Sequence, residues 1–221
     1  MLSERKRASI DAYLAEQVLS TGSNIDRKLF LKERLAKKVR GQLAQGSEEV
    51  ELRLNGILRQ DPTHLFMQEI SPDIFLSGLH GAKDFETLHR KGITHVLAVM
   101  RLPSKFTRSF YDKERFTREF QYKLLEVDDV ETTNLIDSFP ELVSFIKGAL
   151  LEGGRVLVHC AAGMSRSVTT VCAYLVAEEG LRWKEALWLC AQARPVICPN
   201  PGFKRQLAQW ERQQRDARAP F

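Results

Sequence analysis

The sequence predicts an α/β fold: a central, mostly parallel sheet flanked by helices, with an N-terminal helical extension. Three observations carry this. Short apolar runs at Ile93–Met100, Gln121–Val127 and Arg155–Val158 read as strands, and the first is almost continuously apolar, as expected of a strand buried on both faces. Longer stretches with apolar residues at helical spacing alternate with them, which is the pattern of parallel strands joined by crossover helices. Residues 3–60 carry helical stripes and no strand pattern.

Ile10, Tyr13, Leu14 and Val18 form one stripe, broken by Thr21-Gly22-Ser23-Asn24. Ile25, Leu29, Leu35, Val39 and Leu43 form a second, surrounded by lysines and arginines, and Glu48–Leu58 a third after the Gln45-Gly46-Ser47 break. These helices are expected to pack on the following domain with a solvated basic face. A docking or membrane-surface role is the sharper alternative, and Arg27-Lys28-Leu29-Phe30-Leu31 faintly resembles a kinase-docking peptide. Asp61-Pro62-Thr63 marks the boundary, giving an extension over 1–60, a main domain over 61–216 and a tail over 217–221.

Met67–Leu76 predicts a hairpin around Ser71-Pro72-Asp73, and Gly81–Gly92 a helix with Ala82, Phe85 and Leu88 inward. Residues 101–119 are longer than a simple connection needs. They are read either as a surface helix with Phe106, Phe110, Tyr111 and Phe116 as anchors, or as a basic rim steering acidic substrates. Thr132–Leu135 turns into a helix through Leu150, and Gly153-Gly154 leads into the strand before His159. Ser167–Glu179 is a helix ended by Gly180; Trp183–Ala193 and Phe203–Asp216 complete the chain, Asn200 or Pro201 starting the last one. Trp183, Trp188 and Trp210 are expected in the core.

The stretch His159-Cys160-Ala161-Ala162-Gly163-Met164-Ser165-Arg166-Ser167 lies between strand and helix. A loop wrapping into a helix N-terminus points backbone N–H groups at one spot, where the helix dipole favours negative charge. A thiolate at Cys160 and a bound phosphate dianion both suit such a site. Arg166 can grip two phosphate oxygens at once, and the Ser167 hydroxyl is placed to bond the sulfur. Asp128 and Asp129 end the preceding strand on the same side, where a carboxylic acid can protonate a departing ester oxygen. The plain alternative for either is a cap on the next helix.

These residues resemble the signature loop of cysteine-based protein phosphatases in the dual-specificity form. The likeness runs over roughly residues 65–212, through Ile93–Leu97, Glu126–Glu131, Arg194-Pro195 and Pro199–Phe203. Its wording is similar to fungal atypical members, some of which carry a C-terminal cysteine-rich zinc domain that is not found after residue 212. The resemblance implies a protein tyrosine phosphatase-like fold and hydrolysis of phosphotyrosine, with phosphoserine and phosphothreonine tolerated, through a cysteinyl-phosphate. It implies Cys160 as nucleophile, Arg166 with the loop N–H groups of Ala161, Ala162, Gly163, Met164, Ser165 and Arg166 as phosphate cradle, and Ser167 as an aid to sulfur departure. It maps the acid to Asp129 rather than Asp128. His159 is read as structural, holding Cys160 through the loop backbone. No metal or organic cofactor is expected.

Other classes fit less well. Twelve Lys/Arg against eight Asp/Glu lie in residues 1–60, so four of the five net positive charges fall in the extension, which speaks against a nucleic-acid-binding body. No apolar run approaches the roughly 18 residues of a membrane span, and Met1–Arg7 lacks a secretion-signal core. The four cysteines include no C-x-x-C pair; Cys172, Cys190 and Cys198 are expected as buried, inert thiols, consistent with cytoplasm or nucleus. Rival readings are a binding module that captures phosphoproteins without turnover, and a lipid or RNA phosphatase. The loop's lack of lysine argues against the last two substrates.

Overall fold

Residues 66–102 and 111–218 are described by the computed structural model. In chain order they form β1 (Gln68–Ser71), β2 (Ile74–Ser77), α1 (Leu79–Ala82), α2 (Phe85–Arg90), β3 (His95–Val99), α3 (Lys113–Glu119), β4 (Gln121–Leu125), α4 (Phe139–Leu151), β5 (Val156–His159), α5 (Arg166–Glu178), α6 (Trp183–Ala193) and α7 (Pro201–Asp216). A short 3-10 turn, Ile136–Ser138, leads into α4. The expected helices of residues 1–60, the Arg27–Leu31 segment, the boundary at 61–63, Phe106, Phe110 and the end of the tail lie outside the described residues.

The five strands make one sheet in the order β1-β2-β5-β3-β4. β1 and β2 are the antiparallel hairpin; every other pairing is parallel. β5 is therefore the central strand, with Leu157 opposite both Phe75 and Val96. β3 and β5 are buried along their whole length because helices cover both faces, which is why their sequence runs show no polar alternation.

On one face, Phe75, Val96, Ala98 and Leu157 pack against Phe85, Leu88, Phe116 and Phe120. Phe116 is fully buried, with ring centroids 4.8 Å from Phe85, 4.8 Å from Tyr111 and 5.6 Å from Tyr122. On the other face lies α5. Its residues from Ser167 to Val176 are all buried, not only the apolar stripe, because α4, α6 and α7 pack around it. Its polar side chains are satisfied locally: Thr169 Oγ1 donates to Ser165 O at 2.8 Å and Thr170 Oγ1 to Arg166 O at 3.0 Å.

Four expectations change. The helix expected over 81–92 is two helices, because the Asp84 side chain accepts the Thr87 N–H at 3.0 Å and starts α2 afresh. Trp183 and Trp188 are half-buried, since α6 buries only Ala186 and Cys190. Trp210 does lie inside and donates to Ala173 O at 3.0 Å. Cys198 is exposed: its N–H faces inward to Met164 O at 2.7 Å, and the side chain faces out. Cys172 and Cys190 are buried, their sulfurs 3.8 Å apart.

In the long connection, Tyr111 and Phe116 are core anchors. Arg115 and Arg118 pair with Glu119, at 2.8 and 3.4 Å, and the Arg115 guanidinium lies 3.8 Å from the Phe85 ring centroid. Replacing Phe116 with Ala removes the ring at the middle of this cluster. The expected cost is about 3–5 kcal/mol of unfolding free energy, read as a lowered midpoint in urea; a change near zero would show that the cluster closes over the gap.

Candidate active site

β5 ends at His159, and the chain leaves the sheet at Cys160 between the carboxyl ends of β2 and β3. A crevice at the carboxyl ends of parallel strands is where open α/β sheets hold ligands. The loop then curls into the first turn of α5. Gly163 makes the curl possible: its φ is +69°, and a Cβ there would sit 2.5 Å from both Ser77 C and Gly78 N.

The loop's carbonyls all have partners outside it. Ala161 O accepts from Leu79 N at 2.8 Å, Ala162 O from Arg194 Nη2 at 3.1 Å, Gly163 O from Arg194 Nε at 2.7 Å, and Met164 O from Cys198 N at 2.7 Å. In a trans peptide the N–H points opposite its C=O. Four carbonyls held outward therefore turn the N–H groups of residues 162–165 inward, toward one bowl. Such a nest of amides suits an anion.

Arg194 is fully buried and also donates from Nη1 to Phe66 O at 3.1 Å and to Gln68 Oε1. Burial pulls its guanidinium down to about 10, while the charge of the Cys160 sulfur opposes that fall. It stays cationic at neutral pH, under the loop.

Cys160 Sγ lies 3.2 Å from Gly163 N and 3.2 Å from Ser167 Oγ, both donating to it. His159 is fully buried, and desolvation lowers its pKa to about 4, with the hydrogen bond to Cys160 O opposing. It is thus neutral at pH 7 and has a single N–H. Nδ1 lies 3.4 Å from Cys160 O and Nε2 3.0 Å from the Tyr111 hydroxyl, which donates to the Tyr122 hydroxyl at 3.0 Å. Tyr111 is raised above the ordinary phenol range by burial and by Tyr122, so it keeps its proton.

Arg166 opens α5. Its Nη1 donates to Val127 O at 3.1 Å, and its Nε approaches Asp129 Oδ2 at 3.4 Å without hydrogen-bond geometry. Asp129 Oδ1 accepts from Ser165 Oγ at 2.7 Å and from Asn200 Nδ2 at 2.9 Å. Asp128 turns the other way, held by Arg101 through two bonds of 2.7 and 2.6 Å. The Arg101 hydrogen bond keeps it below the usual carboxylate range. Neither aspartate caps α4, whose N-cap position is Ser138.

Two contact groups result: Cys160 with Gly163 and Ser167, and Asp129 with Ser165, Arg166 and Asn200, with His159 next to Cys160 in the chain. Ala161 and Ala162 are exposed on the loop and Met164 is half-buried. Sequence reasoning gave Arg194, Asn200 and Tyr111 no place here. Arg194 follows an amphipathic helix and Asn200 reads as a helix start; nothing local in either tells which loop they meet. Tyr111 was legible only as one aromatic among several. Among the described residues no group of His, Cys, Asp or Glu is arranged to hold a metal ion, and no helix is long and apolar enough to cross a membrane.

The pH dependence of His159 follows from its burial. Unfolded, it titrates near 6.5; folded, near 4. Between those values the unfolded chain binds a proton that the folded chain refuses, so stability is full above about 6.5 and falls as pH drops through the window. His159→Gln is expected to flatten the slope of unfolding free energy by up to about 1.4 kcal/mol per pH unit in that window, measured by urea titrations at several pH values. An unchanged slope would mean the ring is solvated.

The residues 74–213 match the family model "Dual specificity phosphatase, catalytic domain". Mouse dual specificity protein phosphatase 19 is 39% identical over 142 residues, 64% of this chain and 60% of that protein. Mouse dual specificity protein phosphatase 15 is 35% identical over 65% of this chain and 57% of its own length, so the chain spans less than two thirds of these relatives. Among solved structures, the human tyrosine phosphatase-like serine/threonine/tyrosine-interacting protein has a TM-score of 0.61 at 35% identity, covering 66% of this chain and 96% of that one. The Yvh1 phosphatase domain of Chaetomium thermophilum has a TM-score of 0.58 at 29% identity, covering 69% and 99%. On this match of fold, sequence and extent, the chain belongs to the dual specificity phosphatase catalytic-domain family.

Proposed function

We propose that the protein hydrolyses phosphotyrosine, and with it phosphoserine and phosphothreonine, in protein substrates, through a cysteinyl-phosphate. The observation that carries this is the donor pair on the sulfur, Cys160 Sγ between Gly163 N and Ser167 Oγ, together with the pairing of Arg166 and Asp129 at the start of the same helix. A phosphoryl dianion in the bowl meets the inward N–H groups and the Arg166 guanidinium, whose Nε is a buried donor without a hydrogen bond.

The Cys160 thiolate attacks phosphorus in line with the ester oxygen. As the S–P bond forms and the P–O bond breaks, the three equatorial oxygens stay on the loop amides and Arg166. Asp129 gives its proton to the departing oxygen. As a carboxylate it then takes a proton from water, which attacks phosphorus, and the Ser167 hydroxyl supports the sulfur as it leaves. Asp128 is a poor donor because its pairing with Arg101 keeps it ionised. All these roles fall to side chains and amides, so the scheme calls for no cofactor.

Substrate class rests on charge. Ala161, Ala162, Met164 and Ser165 add none to the bowl, which fits a single monoester better than an inositide or a triphosphate end. The domain is assigned to 61–216, with residues 1–60 as a basic extension and 217–221 as a tail. Free buried thiols at Cys172 and Cys190 fit a reducing compartment, cytoplasm or nucleus. The rival, a phosphoprotein-binding module, draws on the likeness to a protein named for interaction; a nucleophile paired with a hydroxyl and an acid paired with a cation argue for turnover.

Two variants test the scheme. Cys160→Ser is expected to abolish hydrolysis of 4-nitrophenyl phosphate; retained turnover would remove the nucleophile. Asp129→Ala is expected to slow a phosphothreonine peptide by about 10²-fold or more and the good leaving group of 4-nitrophenyl phosphate far less. Equal losses would move the acid elsewhere.

A further inference from the structure

One of the residues that seat Asp129 stands at the head of α7, the last described helix. Asn200, its N-cap, uses both ends of one amide. Its Oδ1 accepts the Phe203 N–H at 2.9 Å, closing the first turn of α7, while its Nδ2 donates to Asp129 Oδ1 at 2.9 Å. Its own N–H reaches Ser165 Oγ at 3.3 Å, and that hydroxyl donates to the same Asp129 Oδ1 at 2.7 Å. A helix cap needs only the acceptor. The donor half of the amide is committed to the carboxylate.

The next turns of α7 hold the rest of the same loop. Glu131 O lies 2.1 Å from where a Cβ on Gly202 would be, so the loop backbone rests directly on the helix. Gln206 Oε1 accepts from Leu135 N at 2.8 Å and Ile136 N at 2.9 Å, and its Nε2 donates to Thr133 O at 2.7 Å. The loop is therefore seated at both ends, and Asn200 fixes the end that bears the carboxylate.

We propose that Asn200 is a positioning residue for the proton donor: with Ser165 it occupies Oδ1, so that Oδ2, beside Arg166, is the oxygen that carries and delivers the proton. This rests on Asp129 being the acid. In the step, the Oδ2–H proton passes to the ester oxygen as sulfur bonds to phosphorus. The P–O electron pair stays on that oxygen, a neutral alcohol or phenol leaves, and Asp129 remains as carboxylate. Without the Asn200 donor the carboxylate rotates about its Cα–Cβ and Cβ–Cγ bonds and presents either oxygen to Arg166.

Capping and positioning make opposite forecasts. Asn, Asp and Ser cap helices about equally well. A purely capping Asn200 therefore predicts that Asn200→Ser and Asn200→Asp behave as the parent. A positioning Asn200 predicts loss in both, because Ser does not reach Asp129 and Asp sets a like charge against it. The experiment measures kcat on a phosphothreonine peptide and on 4-nitrophenyl phosphate, with inhibition by orthovanadate, in the full chain, for both variants, Asp129→Ala and Asp129→Ala/Asn200→Ser. Thermal melts accompany each.

The expected result is a fall of about 10- to 100-fold in kcat on the peptide, a much smaller one on the aryl ester, vanadate inhibition retained, and no further loss from Asn200→Ser once Asp129 is Ala. Parent-like rates in both variants, equal losses on both substrates, or a loss that persists in the Asp129→Ala background would overturn the positioning role. If Asp129→Ala itself treats the two substrates alike, the assignment of the acid has failed. If it separates them and Asn200→Ser does not, only the role of Asn200 has.

Discussion

The outward pinning of four consecutive carbonyls is the constraint on which the site depends. A loop of Ala161, Ala162, Gly163 and Met164 has no side chain that could hold an anion, so its amides must. They face inward only because Leu79 N, Cys198 N and two nitrogens of Arg194 hold the opposite ends of the same peptides. A buried guanidinium is costly unless its donors are used. Arg194 uses two of its donors on the carbonyls of Ala162 and Gly163 and the others on Phe66 O and Gln68 Oε1, and its charge lies under the loop. The orientation of the bowl's amides is thus set by residues that hold the loop from outside.

The second constraint is distance along the sheet. Cys160 leaves the central strand and Asp129 follows the edge strand, with β3 between them. No local sequence rule brings these two ends together. The α7 helix does, through Asn200, Gly202 and Gln206, and Ser165 bridges loop to loop. Electrostatics then sorts two adjacent carboxylates to different partners. Asp128 is held by the exposed Arg101, whereas Asp129 turns inward to hydroxyl, amide and Arg166.

Behind the sulfur the design is neutral. His159 and Tyr111 are kept uncharged by burial, and their hydrogen bonds run from the aromatic cluster to the carbonyl of Cys160. Phe116, in the same cluster, lies with its centroid 6.1 Å from the His159 ring. The long connection after β3 therefore contributes to the site from the core side, through its anchors, while Arg115 and Arg118 pair with Glu119.

Much of this was legible in the chain. Continuous apolar runs between helical patterns gave the parallel sheet, since a strand covered on both faces cannot alternate. Cys160, Gly163, Arg166 and Ser167 were legible because one turn of chain carries them all, and local geometry sets their relation. Helix breaks at Asp84 and the exposure of Trp183, Trp188 and Cys198 were not, because an amphipathic stripe says which residues can be buried and not what lies opposite. The separate partners of Asp128 and Asp129, the burial of Arg194 and the two-sided use of Asn200 depend on residues 27 to 71 positions away in sequence. Short-range pattern determines what a segment can become; which side chains meet is decided only when α6 and α7 close over the loop, since hydrogen bonds act across ångströms of space and not along the chain.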